Sequence, residues 1–174
     1  MKKLLVLLFL LGLGSMAWAQ GLSFGIKGGA NLSSANGAWA EGTESRSGMA
    51  AGCYLTLGLL PSFAVQPEIL YSQKGWKASG DASGVPWVGE YRINYLEVEV
   101  PVLAKYSFGA LVKPYILAGP YFAARVSTSW EETKGYTTAT GSMDDYIKSS
   151  DMGFVLGAGV STPIKLSFEA RYSV

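Results

Sequence analysis

The chain has 174 residues, a length that suits one domain. Charged residues make up 16% and aromatic residues 13%, with 22 glycines, a composition that favours strands over an ordinary soluble surface. A net charge of +1 gives no field to recruit nucleic acid, and the absence of histidine excludes Ser-His and Cys-His catalytic pairs and removes the commonest metal ligand.

Met1-Lys2-Lys3 is a short basic opening, Leu4 to Leu13 an apolar run, and Ala17-Trp18-Ala19 a small-x-small cleavage pattern. These three parts predict a secretory signal peptide over residues 1–19, with the mature chain, 20–174, starting at Gln20. The apolar run is too short to span a bilayer as an anchor, and no later segment is apolar for long enough to do so. The exported chain is therefore either soluble or a barrel, because only helices and closed barrels satisfy their backbone in lipid.

Period-2 alternation then recurs seven times. In the first strand Leu22, Phe24, Ile26, Ala30 and Leu32 oppose Ser23, Gly25, Lys27, Gly29 and Asn31. In the second, Ala51, Cys53, Leu55 and Leu57 oppose Gly52, Tyr54 and Thr56; Cys53 reads as a small apolar residue, and as the single cysteine it can form no intrachain disulfide. In the third, Val65, Pro67, Ile69 and Tyr71 oppose Gln66, Glu68, Leu70, Ser72 and Lys74. The fourth changes phase: Tyr91, Ile93 and Tyr95 precede Leu96, Val98, Val100 and Val102, which predicts a β-bulge near Tyr95-Leu96. The fifth runs from about Lys113 to Trp130. The sixth sets Met152, Phe154, Leu156, Ala158 and Val160 against Asp151 and a glycine-rich face. The seventh is the most regular, with Ile164, Leu166, Phe168, Ala170, Tyr172 and Val174 against Lys165, Ser167, Glu169, Arg171 and Ser173.

Connections alternate in length. Ser33 to Gly48, Gly75 to Glu90 and Glu131 to Ser150 are long and polar; Leu60 to Ser62, Ser107 to Val112 and Ser161 to Pro163 are short. Outer-membrane barrels segregate short periplasmic turns from long extracellular loops in this way. Aromatics near the strand ends, Tyr71, Trp76, Tyr91, Tyr106, Tyr115, Trp130 and Tyr172, fit interfacial girdles. The expected fold is all-β, an antiparallel up-and-down transmembrane β-barrel of eight-strand type. Seven strands are visible, and the chain stops within its most regular one, so a closing strand is expected to be missing at the C-terminus. A soluble lipocalin-like barrel binding a small apolar ligand would show the same period with its faces reversed.

Six stretches stand out: Phe24 to Ser33; Gln66-Pro67-Glu68-Ile69-Leu70-Tyr71-Ser72-Gln73-Lys74-Gly75; Tyr95 to Val98 with Pro101, where Glu99-Val100 resembles an insertion; Pro114-Tyr115 to Ala118-Gly119-Pro120; Asp151-Met152-Gly153 with Gly157 and Gly159; and Phe168 to Tyr172. Together they resemble the PorT-like outer-membrane β-barrel family of Bacteroidota. The resemblance implies an eight-stranded barrel in the bacterial outer membrane and supplies no catalytic residues.

Lys27, Glu68, Lys74, Glu97, Glu99, Lys105, Glu169 and Arg171 are expected to form a structural charge network inside the barrel, since eight strands leave room only for side chains. Glu97 and Glu99 are spaced like a carboxylate pair, but nothing suggests a sugar cleft. No catalytic, cofactor or metal site is expected, and no enzymatic activity. The expected role is structural or binding, exerted through the long loops, with Trp39, Trp87, Trp130 and Tyr136 as candidate contacts, and not that of a wide pore. The expected partners are outer-membrane lipid, the barrel-assembly machinery that inserts such proteins, and an envelope or extracellular protein; nucleic acid is not among them.

Overall fold

The computed structural model describes residues 21–34, 43–82, 84–106, 113–144, 147–164 and 166–174. The predicted signal peptide, the 107–112 turn and Trp39 lie outside the described residues. Among the described residues ten strands form one antiparallel sheet: β1 (Leu22–Ser33), β2 (Thr43–Leu60), β3 (Phe63–Val65), β4 (Glu68–Ala82), β5 (Val85–Glu99), β6 (Val102–Lys105), β7 (Lys113–Lys134), β8 (Thr137–Gly141), β9 (Ser150–Ser161) and β10 (Ser167–Ser173).

The count of ten corrects the seven strands read from the alternation, and two causes account for the difference. Proline has no N–H to give a ladder. The expected third strand divides at Gln66-Pro67 into β3 and β4, and the fourth divides at Val100-Pro101 into β5 and β6. Pairing continues through both breaks, because Leu55 N donates to Pro67 O at 2.9 Å and Gln66 N to Pro101 O at 2.9 Å. The second cause is β8, which lies inside a segment expected to be a loop and folds back on β7 from Trp130↔Gly141 to Lys134↔Thr137. The segment expected as a loop over Gly75 to Glu90 is also strand, paired with continuous register up to Ala82↔Val85. Both hairpins mix polar residues with a few scattered apolar ones such as Val85, Trp87 and Val88, so no hydrophobic period marked them.

The predicted bulge is displaced. β5 pairs β4 without a register shift, and Ile93, Tyr95, Glu97 and Glu99 all sit on its buried face. The extra residue is on the neighbouring strand: Asn94 pairs Ser127 while Tyr95 pairs Arg125, leaving Val126 unmatched on β7. Apolar character changes sides in β5 because its buried face is aromatic near Tyr95 and ionic near Glu99, with no change in backbone phase.

Polarity is inverted relative to a soluble barrel. Phe24, Ile26, Ile69, Leu96, Val98, Ile116, Phe122, Phe154, Leu156 and Phe168 are exposed, whereas Glu68, Glu97, Glu99 and Ser72 are buried. Among the described residues no helix is long and apolar enough to cross a membrane; crossing would be by strands, with the apolar rows against acyl chains. Of the expected aromatic girdle, Tyr71, Tyr106 and Tyr172 are exposed, but Tyr115 is buried and Trp76 packs against a buried cluster.

The sheet is curled. Among the described residues β1 pairs β2 alone and β10 pairs β9 alone, yet Lys27 of β1 reaches Glu169 of β10 at 3.1 Å. Curling on the β1 side depends on small inward residues of β2. Gly48, Ala50 and Gly52 leave space for Asn31 of β1 to reach over them and donate to Ser72 of β4 at 2.7 Å. A Cβ on Gly52 would strike the Ile69 carbonyl and lie 2.8 Å from Leu70 Cα, whereas a Cβ on Gly29 would meet nothing within 4 Å. Gly52→Ala should therefore cost about 1–3 kcal/mol through forced backbone displacement, and Gly29→Ala should be close to neutral. Urea unfolding in detergent, followed by heat-modifiable gel mobility, checks the pair; equal midpoints would contradict this account of the curl.

Candidate functional site: an ionic interior beneath a projecting sheet

The strongest convergence of chemistry lies inside the sheet towards its short-turn end. Arg171 of β10 donates through Nη2 to Glu68 at 2.6 Å, through Nη1 to Glu99 and through Nε to Glu169, so one guanidinium ties β10 to β4 and β5. Lys27 adds β1, with Nζ 2.8 Å from Glu68 and 3.1 Å from Glu169. Gln66 donates to Glu68 at 2.9 Å and accepts from Thr56 at 2.9 Å, while the Tyr115 hydroxyl donates to Glu169 at 3.0 Å. The Glu68 side chain is 0% exposed. A carboxylate this far from water persists only when paired and hydrogen-bonded, and each of its oxygens is.

A second layer sits above. Lys74 pairs with Glu97 at 2.6 Å, and its ammonium lies 5.7 Å from the Tyr95 ring centre and 5.1 Å from that of Tyr121. Aromatic faces and a carboxylate together replace the water this cation has lost. The Tyr121 hydroxyl donates to Asp151 at 3.0 Å. Ile93, Tyr95, Tyr121 and Ala123 then form a buried apolar cluster against which Trp76 and Ile147 pack. Trp76 also stacks on Tyr91, with ring centres 5.0 Å apart.

Seven of the eight residues expected in the interior network thus occur in these two layers. Lys27, Glu68, Glu99, Glu169 and Arg171 meet directly, and Lys74 with Glu97 forms a separate pair. Lys105 is the exception: it lies at the end of β6, where its backbone N donates to Ser62 O, and it has no carboxylate partner among the described residues. Thr56, Gln66, Tyr115 and Tyr121 were missed. Tyr115 and Tyr121 share odd-numbered register with buried Leu117 and Ala123, a parity that the aromatic-girdle expectation overrode for Tyr115 and that was not read for Tyr121.

At the other end, the β4/β5 and β7/β8 hairpins run side by side, with Trp87 opposite Lys134 and Gly135 N donating to Pro86 O at 3.2 Å. Their turns use glycine at positive φ, 81° at Gly84 and 58° at Gly135. The candidate contacts divide here. Trp87 lies across Gly80 and Trp130 across Gly141, so both rings cover their own sheet. Tyr136, at the β7/β8 turn, is fully exposed at 109%, with Val85 and Val88 exposed on the neighbouring hairpin.

Arg46, Glu90 and Arg92 form a further cluster at the base of this extension. Glu90 Oε1 accepts from Arg46 Nε at 2.8 Å and from Arg92 Nε at 2.9 Å. The two guanidinium bonds, Arg92 first, hold the Glu90 carboxyl down at about 2 against a smaller opposing effect of burial.

Two expectations follow. Glu68→Ala leaves Arg171 and Lys27 short of an acceptor in the interior and should cost about 3 kcal/mol or more; adding Lys27→Met to it removes one stranded charge and should recover part of that loss. A double variant no more stable than Glu68→Ala in detergent unfolding would mean that the charges do not act as a network. For Glu90, the folded carboxyl titrates below its ordinary value of 4.5, so its stabilisation is present above about pH 4.5 and fades as pH falls towards 2. Amide exchange of the hairpin base should therefore distinguish the native chain from Glu90→Gln at pH 6, with the difference gone near pH 2.

A family model described as outer membrane protein beta-barrel domain matches residues 18–174. No curated protein and no solved structure matches the chain. The chain belongs to the outer membrane protein beta-barrel domain family.

Proposed function

From that membership we propose that the protein is exported by a signal peptide over Met1–Ala19, resides in the bacterial outer membrane among the PorT-like barrels, and serves a structural or binding role through its projecting hairpins rather than catalysis or bulk transport. The family supports the location. The observation that carries the binding role is the pair of hairpins, an ordered four-stranded extension of β4, β5, β7 and β8 that ends in exposed Tyr136, Val85 and Val88. An ordered platform presents side chains at low entropic cost to a partner, and a rigid aromatic at its tip suits a contact. With the long hairpins outward, that partner is an extracellular or envelope protein.

Against a wide pore stand the two interior layers, which fill the lumen with paired charges and then with rings. Against catalysis stands the ionic cluster itself: its acids are engaged by Arg171, Lys27 and Lys74, and among the described residues no nucleophile-base pair adjoins them. The same inversion of polarity disfavours a lipocalin-like carrier, whose pocket would need the apolar rows inside.

Two measurements test the reading. In planar bilayers the protein should give no steady conductance, while Tyr121→Ala should raise leakage; a stable open channel in the native chain would defeat the plugged interior. On intact cells, in a Cys53→Ser background, maleimide should label Tyr136→Cys more slowly than it labels the same purified protein, since a partner covers the tip. Equal rates would remove the case for binding at the hairpins.

A further inference from the structure

We propose that Arg92, with Arg46 and Lys77 beside it, binds the phosphate of an anionic lipid in the outer leaflet. This rests on the membrane placement and on the long hairpins facing outward, and it does not depend on the hairpin tips having a partner.

The outward face changes character in layers across β4, β5 and β7. The last wholly apolar rung is Tyr71, Leu96 and Ala124, with the unmatched and exposed Val126 just beyond it on β7. Above it come Gln73, Asn94 and Ser127, neutral and polar, with Asn94 donating to Ser127 at 2.9 Å. The next rung is Gly75, Arg92 and Ser129, and the one beyond it Lys77, Glu90 and Glu131, with Glu44 opposite Lys77. Leu96 to Arg92 is four residues, about 14 Å of strand and roughly 10 Å along the membrane normal at the usual barrel tilt. Headgroups occupy roughly 5–8 Å on each side of the hydrocarbon. A flexible arginine on that rung therefore reaches the phosphate level.

Three cations face three carboxylates, Glu44, Glu90 and Glu131, so the region is neutral in sum. Its order is what selects an anion: the arginine rung is nearer the lipid, and the carboxylate-bearing rung lies one step further into water. Glu90 holds the two guanidiniums together by their Nε atoms. Arg46 spends Nη1 on the Lys74 carbonyl, 3.5 Å away. Arg92 keeps both terminal nitrogens without a partner among the described residues, and its side chain is 45% exposed. A fork with free N–H groups is the geometry that takes phosphate oxygens.

Two small residues make the arrangement fit. Gly75 has φ 149°, and a Cβ there would strike the Tyr91 carbonyl and crowd Arg46 Cδ at 3.2 Å, so glycine lets Arg46 cross to Glu90. Ser129 leaves a depression of about 310 Å³ beside Arg92, bordered also by Glu90, Glu131 and Thr140.

The test is lipid retention by the full-length barrel, read by native mass spectrometry from micelles containing equal phosphatidylglycerol and phosphatidylcholine. The native chain should retain phosphatidylglycerol preferentially. Arg92→Gln and Lys77→Gln should each lower that preference about fivefold, on the scale of one basic residue near an anionic surface, while Lys134→Gln at the hairpin tip should leave it unchanged. Heat-modifiable mobility of each variant shows that the barrel is formed, and if Arg92→Gln fails to fold, Lys77→Gln decides. Unchanged retention in the folded variants, an equal loss in Lys134→Gln, or full competition by inorganic phosphate would each overturn the proposal. Loss of heat-modifiable mobility in the native chain would instead count against the membrane placement.

Discussion

The rest of the architecture depends on the arginine that binds three carboxylates. With apolar rows turned outward, every charged side chain on the other face must find its partner within a narrow interior, because water is scarce there and burial of an unpaired ion is costly. Arg171 meets this demand by engaging Glu68, Glu99 and Glu169 at once, and Lys27 meets it from the opposite strand by sharing Glu68 and Glu169. The result joins β1 and β10, which lie at opposite ends of the hydrogen-bonded ladder, to the paired strands β4 and β5 between them. The side-chain network therefore holds the curvature that backbone pairing alone leaves free.

That network requires backbone economy elsewhere. Lys27 reaches Glu68 past Gly52, its register partner on β2, with its ammonium over the Tyr54 ring. Prolines do complementary work nearer the short turns, where Pro67 and Pro101 interrupt their strands yet accept through their carbonyls from Leu55 N and Gln66 N. A tightly curled sheet thus gives up side-chain bulk on one strand and ladder donors on others, and keeps its bonds satisfied at both places.

Much of this was legible in the sequence. Strict alternation in Leu22–Leu32, Ile69–Lys74 and Phe168–Arg171 gave both the strands and their faces, because a side chain's environment in a sheet alternates with period two. The acids and bases on the polar faces could be expected to meet, and most do. Ile93 and Tyr95 misled because an interior need not be polar throughout, so a change of lining mimicked a change of phase. The projecting hairpins stayed hidden because water bathes both of their faces and erases the period. Arg46 and Glu90 stand 44 positions apart in chain and on strands that are not adjacent, and only the packing over Gly75 joins them.

The unmatched Val126 on β7 sets the frame of everything beyond it. Before it, odd-numbered side chains of β7 face inward; after it, even-numbered ones do, which is why Thr128 is buried while Arg125 also turns in and donates to the Asp144 and Ile147 carbonyls. One surplus residue thereby decouples the two halves of a 22-residue strand. Sequence drift in the half with apolar outward rows and in the polar half can proceed under separate rules, with a single position reconciling the two.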